Sequence, residues 1–131
     1  MLNSNFQFTR PVLVKSEFQI NTDFKSEAGK KVDMKINASV DKDMNVDNRT
    51  ATVALSIELG ERSADYPFYI SVKEQADFRW DECLDDKHEI LLQQNAPALI
   101  LGYIRQVVVE MTAASPYPVY HIPFIDFTKN E

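Results

Sequence analysis

The stretch Thr50-Ala-Thr-Val-Ala-Leu-Ser-Ile-Glu-Leu59 decides the fold. Ala51, Val53, Leu55, Ile57 and Leu59 recur at every second position, with Thr50, Thr52, Ser56 and Glu58 between them. Successive strand side chains point to opposite faces, so this period builds one apolar and one polar face. Upstream, Val32, Met34, Ile36, Ala38 and Val40 alternate with Asp33, Lys35, Asn37 and Ser39. Downstream, Tyr66, Phe68, Ile70, Val72, Phe78 and Trp80 oppose Tyr69, Ser71, Lys73, Gln75, Asp77 and Arg79. A further segment, from Phe6 to about Phe24, has Phe6, Phe8, Val12, Val14, Phe18 and Ile20 on even positions, with Arg10 and Ser16 as exceptions. Pro11 lacks an N–H and predicts a break or an edge there. Asp41–Arg49 and Gly60–Asp65 carry the Asp, Asn and Gly of turns, while Asn21–Lys31 is long enough to cross the sheet. The expectation is an α+β domain: a four-stranded antiparallel sheet with a crossover after the first strand and helices on one face.

After Trp80 the period becomes helical. A short helix is expected through His88 to Gln94, capped by Asp81 or Asp85, and Asn95-Ala-Pro97 should interrupt it. A second helix over Ala96–Ala113 carries an apolar stripe of Ile100, Tyr103, Ile104, Val107, Val108 and Met111, which should cover the apolar sheet face. Its outer face holds Ala98, Gly102 and Val109, flanked by Arg105 and Gln106. Small and apolar residues there predict a second contact, most simply another copy of the helix. The tail from Ser115 to Phe127, with Pro116, Pro118 and Pro123, is too proline-rich for a helix and too apolar to float. It should lie extended, filling a groove or lining one.

The 131 residues fit one domain over 1–131, with 44% hydrophobic and 26% charged residues and a core large enough to hold without staples. The net charge of −6 and scattered cations exclude a nucleic-acid or anionic-membrane footprint. One cysteine, Cys83, excludes a disulfide framework and a multi-Cys zinc site, and reads as a small half-buried hydrophobe. His88-Glu89 lacks the second histidine of a zinc protease. Asp81, Glu82, Asp85 and Asp86 read as charge complementing a helix start, and His121 as a packed or hydrogen-bonded tail residue. No catalytic residue, metal site or cofactor is expected. MLNSNFQFTR has no signal-peptide pattern and no stretch is apolar enough to span a bilayer, so a cytoplasmic protein without membrane insertion is expected.

Asn95-Ala-Pro-Ala-Leu-Ile-Leu-Gly-Tyr-Ile-Arg105, the apolar helix after it, Tyr117-Pro118 and Ile122-Pro-Phe-Ile-Asp-Phe127 together resemble the signature of the SecB export-chaperone family. Phe6-Gln7-Phe8, Arg10 and Phe18 match its first-strand spacing, so the likeness spans about residues 6 to 127. The resemblance implies a holdase, acting without ATP, that binds non-native polypeptides in apolar grooves and assembles through its helices as a dimer or tetramer. Carried over by position, Val32, Met34, Ile36, Phe124 and Ile125 fall at the peptide-binding groove. Phe24 substitutes for a crossover aromatic that the family has near Ala28. Phe68, Ile70 and Val72 match strand positions that bear on assembly, joining Ala98, Gly102, Arg105 and Val109 as interface candidates.

Departures accompany the likeness. Gly102 stands where the family has proline, and Asp126 where it has asparagine. Lys15, Gln19 and Ser71 replace acids that dock the motor SecA, and the stretch after Phe127 is expected to be too short for the family's final helix and motor-binding tail. Docking to SecA is therefore not expected. The alternative is an oligomeric interaction module of the same fold that binds one specific protein partner, favoured if the tail fills the groove. A small-molecule site or enzyme would need convergent polar groups that the sequence does not display.

Overall fold

The computed structural model describes residues 5–25 and 31–128. Five strands, β1 (Phe6–Phe8), β2 (Val12–Ile20), β3 (Ile36–Asn45), β4 (Thr50–Gly60) and β5 (Phe68–Trp80), form one antiparallel sheet. β1 and β2 both pair with β5, followed by β4 and then β3 at the far edge. They are therefore one expected strand broken in two, and the sheet is four strands wide as expected. β2 and β3 occupy opposite edges, so the connection between them crosses over as expected. Part of Asn21–Lys31, including Ala28, lies outside the described residues.

The break and a bulge explain the exceptions in the first segment. Phe8 opposes Phe78 and Val12 opposes Gln75, four steps on one strand against three on the other. The extra residue at Pro11 turns Val12 to the polar face. A second register shift between Leu13 and Lys15 restores the alternation, so Ser16, Phe18 and Ile20 oppose Val72, Ile70 and Phe68 on the apolar face. β3 also differs from the expected turn at Asp41–Arg49. Asp41 to Asn45 continue the ladder to Thr50, and only Val46–Arg49 turns the chain, with Arg49 at φ 53°.

A 3-10 turn (Glu82–Leu84) leads to α1 (His88–Ile90), a π-helical stretch Leu91–Asn95 and α2 (Ala96–Ala113). The expected interruption at Asn95-Ala-Pro97 does not occur, since Asn95 and Ala96 both keep right-handed helical dihedrals. Proline removes a helical donor and crowds the carbonyl four residues back. Widening the turn relieves the crowding: Ala96 N–H donates to Leu91 O, five residues back. Neither Asp81 nor Lys87 caps by its side chain. Asp85 instead accepts two bonds from the Arg49 guanidinium (2.9 and 2.8 Å) and one from Trp80 Nε1 (3.1 Å). The Arg49 bonds, then that of Trp80, hold its carboxyl below the ordinary range. The pair ties the β3–β4 turn to the helical region. Cys83 is exposed, not half-buried, because the 3-10 turn carries it on the surface.

α2 packs on β5 and β4. Its buried positions are Ala96, Pro97, Ile100, Leu101, Ile104, Val108 and Thr112, against Val53, Leu55, Ile57, Leu59, Ile70, Val72, Phe78 and Trp80 of the sheet. Tyr103, Val107 and Met111, expected at the centre of the stripe, flank it half-buried, and Leu101 takes a central place. No helix among the described residues is long and apolar enough to cross a membrane.

Candidate functional site

α2 is one helix wide and the sheet is wider. β3 therefore carries Ile36, Ala38, Val40, Lys42 and Met44 on the apolar face with Ala38, Lys42 and Met44 exposed. At the end of the sheet where β2 and β4 finish and β5 begins, a set of rings gathers. Phe18 meets Phe68 edge-on, and Phe68 meets Tyr117 and Tyr120 with centroids 6.4 Å apart in both cases. Tyr117 also packs edge-on against Phe24 at 6.0 Å. Met34 closes the same end from the other side, its Cε lying 3.0 Å from where a Cβ on Gly60 would stand. Asn21 anchors the rim: its Nδ2 donates to the carbonyls of Glu61 (2.7 Å) and Tyr66 (2.9 Å).

The tail enters this region without joining the sheet. Tyr120 N–H donates to Thr112 Oγ1 (2.9 Å), while that hydroxyl donates to Val108 O (2.8 Å). Arg105 donates from Nε to Ile122 O (3.0 Å) and from Nη2 to Pro123 O (3.1 Å). Ile122 is buried, and Tyr117, Tyr120, Ile125 and Phe127 are half-buried against the core. Burial pushes the Tyr120 phenol above its ordinary value. The tail therefore fills apolar surface on one side and presents Phe124, 84% exposed, on the other.

Of the residues expected from sequence, Met34, Ile36 and Ile125 are half-buried around the core, Phe24 is half-buried, and Val32 and Phe124 are exposed. Phe24 meets the tail directly. Phe68, Ile70 and Val72, expected at an assembly surface, lie 3%, 0% and 0% exposed beneath α2 and the tail. Their strand parity points them into the chain's own core, which leaves no side-chain surface for a partner. Ala98 and Gly102 are exposed and Val109 half-buried on the outer face of α2, and Gly102 has nothing within 4 Å of a Cβ. Arg105, grouped with them from the helical wheel, turns its guanidinium to the tail. Thr112 was not among the expected residues, and its place one helical turn after Val108, on the inward face of the apolar helix, is the signal that could have found it.

The opposite face of the sheet is polar. Lys15 opposes Lys73, Gln19 opposes Tyr69, and Ser71 lies between Glu17 and Glu58. Glu58 accepts a bond from the Tyr69 hydroxyl (2.6 Å), and Arg62 lies over the Tyr69 ring while pairing with Glu17. Lys15, Gln19 and Ser71 thus share one face, with opposed lysines beside them. Among the described residues, no three His, Cys, Asp or Glu side chains form a set able to hold a metal ion.

A crossed-over antiparallel sheet, backed by one helix and bordered by exposed apolar side chains, defines an α+β scaffold. The family model for Preprotein translocase subunit SecB matches residues 13–129, and the chain belongs to the SecB family. Its fold is that of a SecB-like chaperone of Mycobacterium tuberculosis, solved in complex with a ChAD peptide from an antitoxin. The two share 12% identity and a TM-score of 0.72, over 92% of this chain and 91% of that one. A protein of unknown function from Streptococcus agalactiae is also similar, at 13% identity and a TM-score of 0.51, over 91% of this chain and 97% of that one. No curated protein sequence matches.

Proposed function

We propose that the protein is a holdase that binds non-native polypeptides on its apolar surface. The carrying observation is the apolar surface left open: Val32 and Met44 on the β3 side, Phe8, Val12, Leu13 and Val14 around the β1–β2 break, and Phe124 on the tail are all exposed. Apolar contact is non-directional and so serves many client sequences. The proposed binding residues are Phe24, Val32, Met34, Ile36, Phe124 and Ile125. Membership of the SecB family and a SecB-like relative holding an antitoxin peptide support the reading. Docking to SecA is not part of it, since Lys15, Gln19 and Ser71 occupy the positions of the family's docking acids.

The protein is expected to suppress aggregation of two unrelated, chemically unfolded proteins at stoichiometric ratio, read by light scattering. Absence of protection at several-fold excess overturns the reading. The packed Tyr117 and Tyr120 favour a second one, an interaction module whose groove is permanently closed and which binds one folded partner. Tight binding to a single folded protein, with no protection of either unfolded one, would establish it.

Assembly is proposed through Ala98, Gly102 and Val109. Because a Cβ at Gly102 meets nothing in the subunit, Gly102→Arg leaves the fold intact while placing a charge in a helix-to-helix contact. Multi-angle light scattering should show an oligomer for the wild type and the 15.0 kDa monomer for the variant. An unchanged mass places the contact elsewhere.

A further inference from the structure

We infer that the segment from Ser115 to Thr128 is a displaceable strap: it occupies the polypeptide site as a resident pseudo-client, and Arg105 is its clasp. The inference rests on the holdase reading above and adds the regulation of that site. The strap offers what an extended client would offer. Tyr117, Tyr120 and Ile122 insert side chains, and its backbone joins no ladder of the sheet. Its main chain is held to the body of the protein by the Ser115 amide on the Thr112 carbonyl, the Tyr120 amide on the Thr112 hydroxyl, and the Ile122 and Pro123 carbonyls on Arg105. Pro116, Pro118 and Pro123 keep a released strap extended, which lowers the entropy lost on re-docking. Segments held by few bonds and joined to no ladder open before the core of the sheet does. The strap's rings pack on Phe24 and Phe68, at the end of the sheet where Met34 also closes. A client using Phe24 and Met34 therefore competes with Tyr117 and Tyr120 of the strap, while Phe124 and Ile125 at its far end travel with it and can still contact the client. Arg105 suits a clasp because its planar fork supplies two donors to neighbouring carbonyls, which a lysine ammonium does not reproduce.

The test compares the full-length wild type with Arg105→Ala, using a reduced, carboxymethylated protein that stays unfolded without denaturant as the probe. Hydrogen exchange over 117–127, including the Tyr120 amide, should quicken several-fold in the variant. The apparent affinity for the probe should tighten by about five- to tenfold, because a larger fraction of molecules is open. Adding the probe to the wild type should also quicken exchange at the Tyr120 amide. Faster strap exchange with unchanged or weaker affinity, or a Tyr120 amide indifferent to bound probe, overturns the strap and leaves the holdase reading standing. Failure of wild type and variant alike to bind the probe overturns the holdase reading itself.

Discussion

Gly60→Val should unfold the domain or cost it about 3 kcal/mol or more, a loss in the range that marks a broken backbone requirement. Gly60 ends β4 with φ 68°, in the left-handed region where a β-branched side chain is strained. A Cβ there would also fall well inside van der Waals contact with the Phe68 carbonyl oxygen. That oxygen belongs to the first residue of β5 and cannot rotate away as a side chain would. Gly60 N–H donates to Lys35 O (2.8 Å), so a shift of Gly60 also disturbs the approach to β3. Guanidinium denaturation followed by Trp80 fluorescence reads the loss as a lower midpoint, or as no transition if the variant is already unfolded. Gly102→Ala is the control: it lies inside a helix with open space around the new methyl within the subunit, and the subunit fold should gain up to about 1 kcal/mol. An unchanged midpoint for Gly60→Val would mean that β4 and β5 do not meet at this turn as described.

The alternation of β4 and β5 was legible because their inward side chains are buried beneath α2, so parity and burial coincide. It failed along β3, where Asp41, Lys42 and Asp43 are paired yet polar on both faces. An edge strand whose inward Lys42 lies beyond the cover of the helix needs no apolar residue there. In the first segment, Pro11 announced a break, but the bulge at Leu13–Lys15 left no sequence mark. Two offsets cancelled, so the even positions seemed continuous while Val12 in fact changed face. A helical wheel placed Ala98, Gly102 and Arg105 together, and it fixes direction from the axis without showing what lies there. The tail was readable as extended and packed, since its prolines forbid a helix and its aromatics require cover. Which residue receives it was not, because the bonds from Arg105 and Thr112 join positions 8 to 18 residues apart.

Glu74 is where the pattern most sharply disagrees with chemistry, and its replacement should raise stability. It occupies an inward position of β5, opposite Leu13 and Leu55, and is 4% exposed. Its Oε2 has no hydrogen-bond partner among the described residues. Burial pushes its pKa above the ordinary carboxylate value, because the charged form loses hydration without gaining a partner. Glu74→Met keeps the length and removes the polar atoms, and should stabilise the fold at neutral pH by about 1–3 kcal/mol. The pH dependence has a definite sign. A carboxyl with a raised native pKa binds its proton more tightly when folded, so the Glu74 penalty should be relieved as pH falls through its raised native value toward the unfolded glutamate value. Asp85, held low by Arg49, works in the other direction and loses its contribution as pH falls through its native value. Subtracting the wild-type stability curve from that of Glu74→Met cancels Asp85 and every other shared group. The remaining advantage of the variant should be full above the raised native pKa and shrink as the pH falls below it. A variant no more stable than wild type, or an advantage that does not change with pH, would show that Glu74 reaches water or a partner in solution.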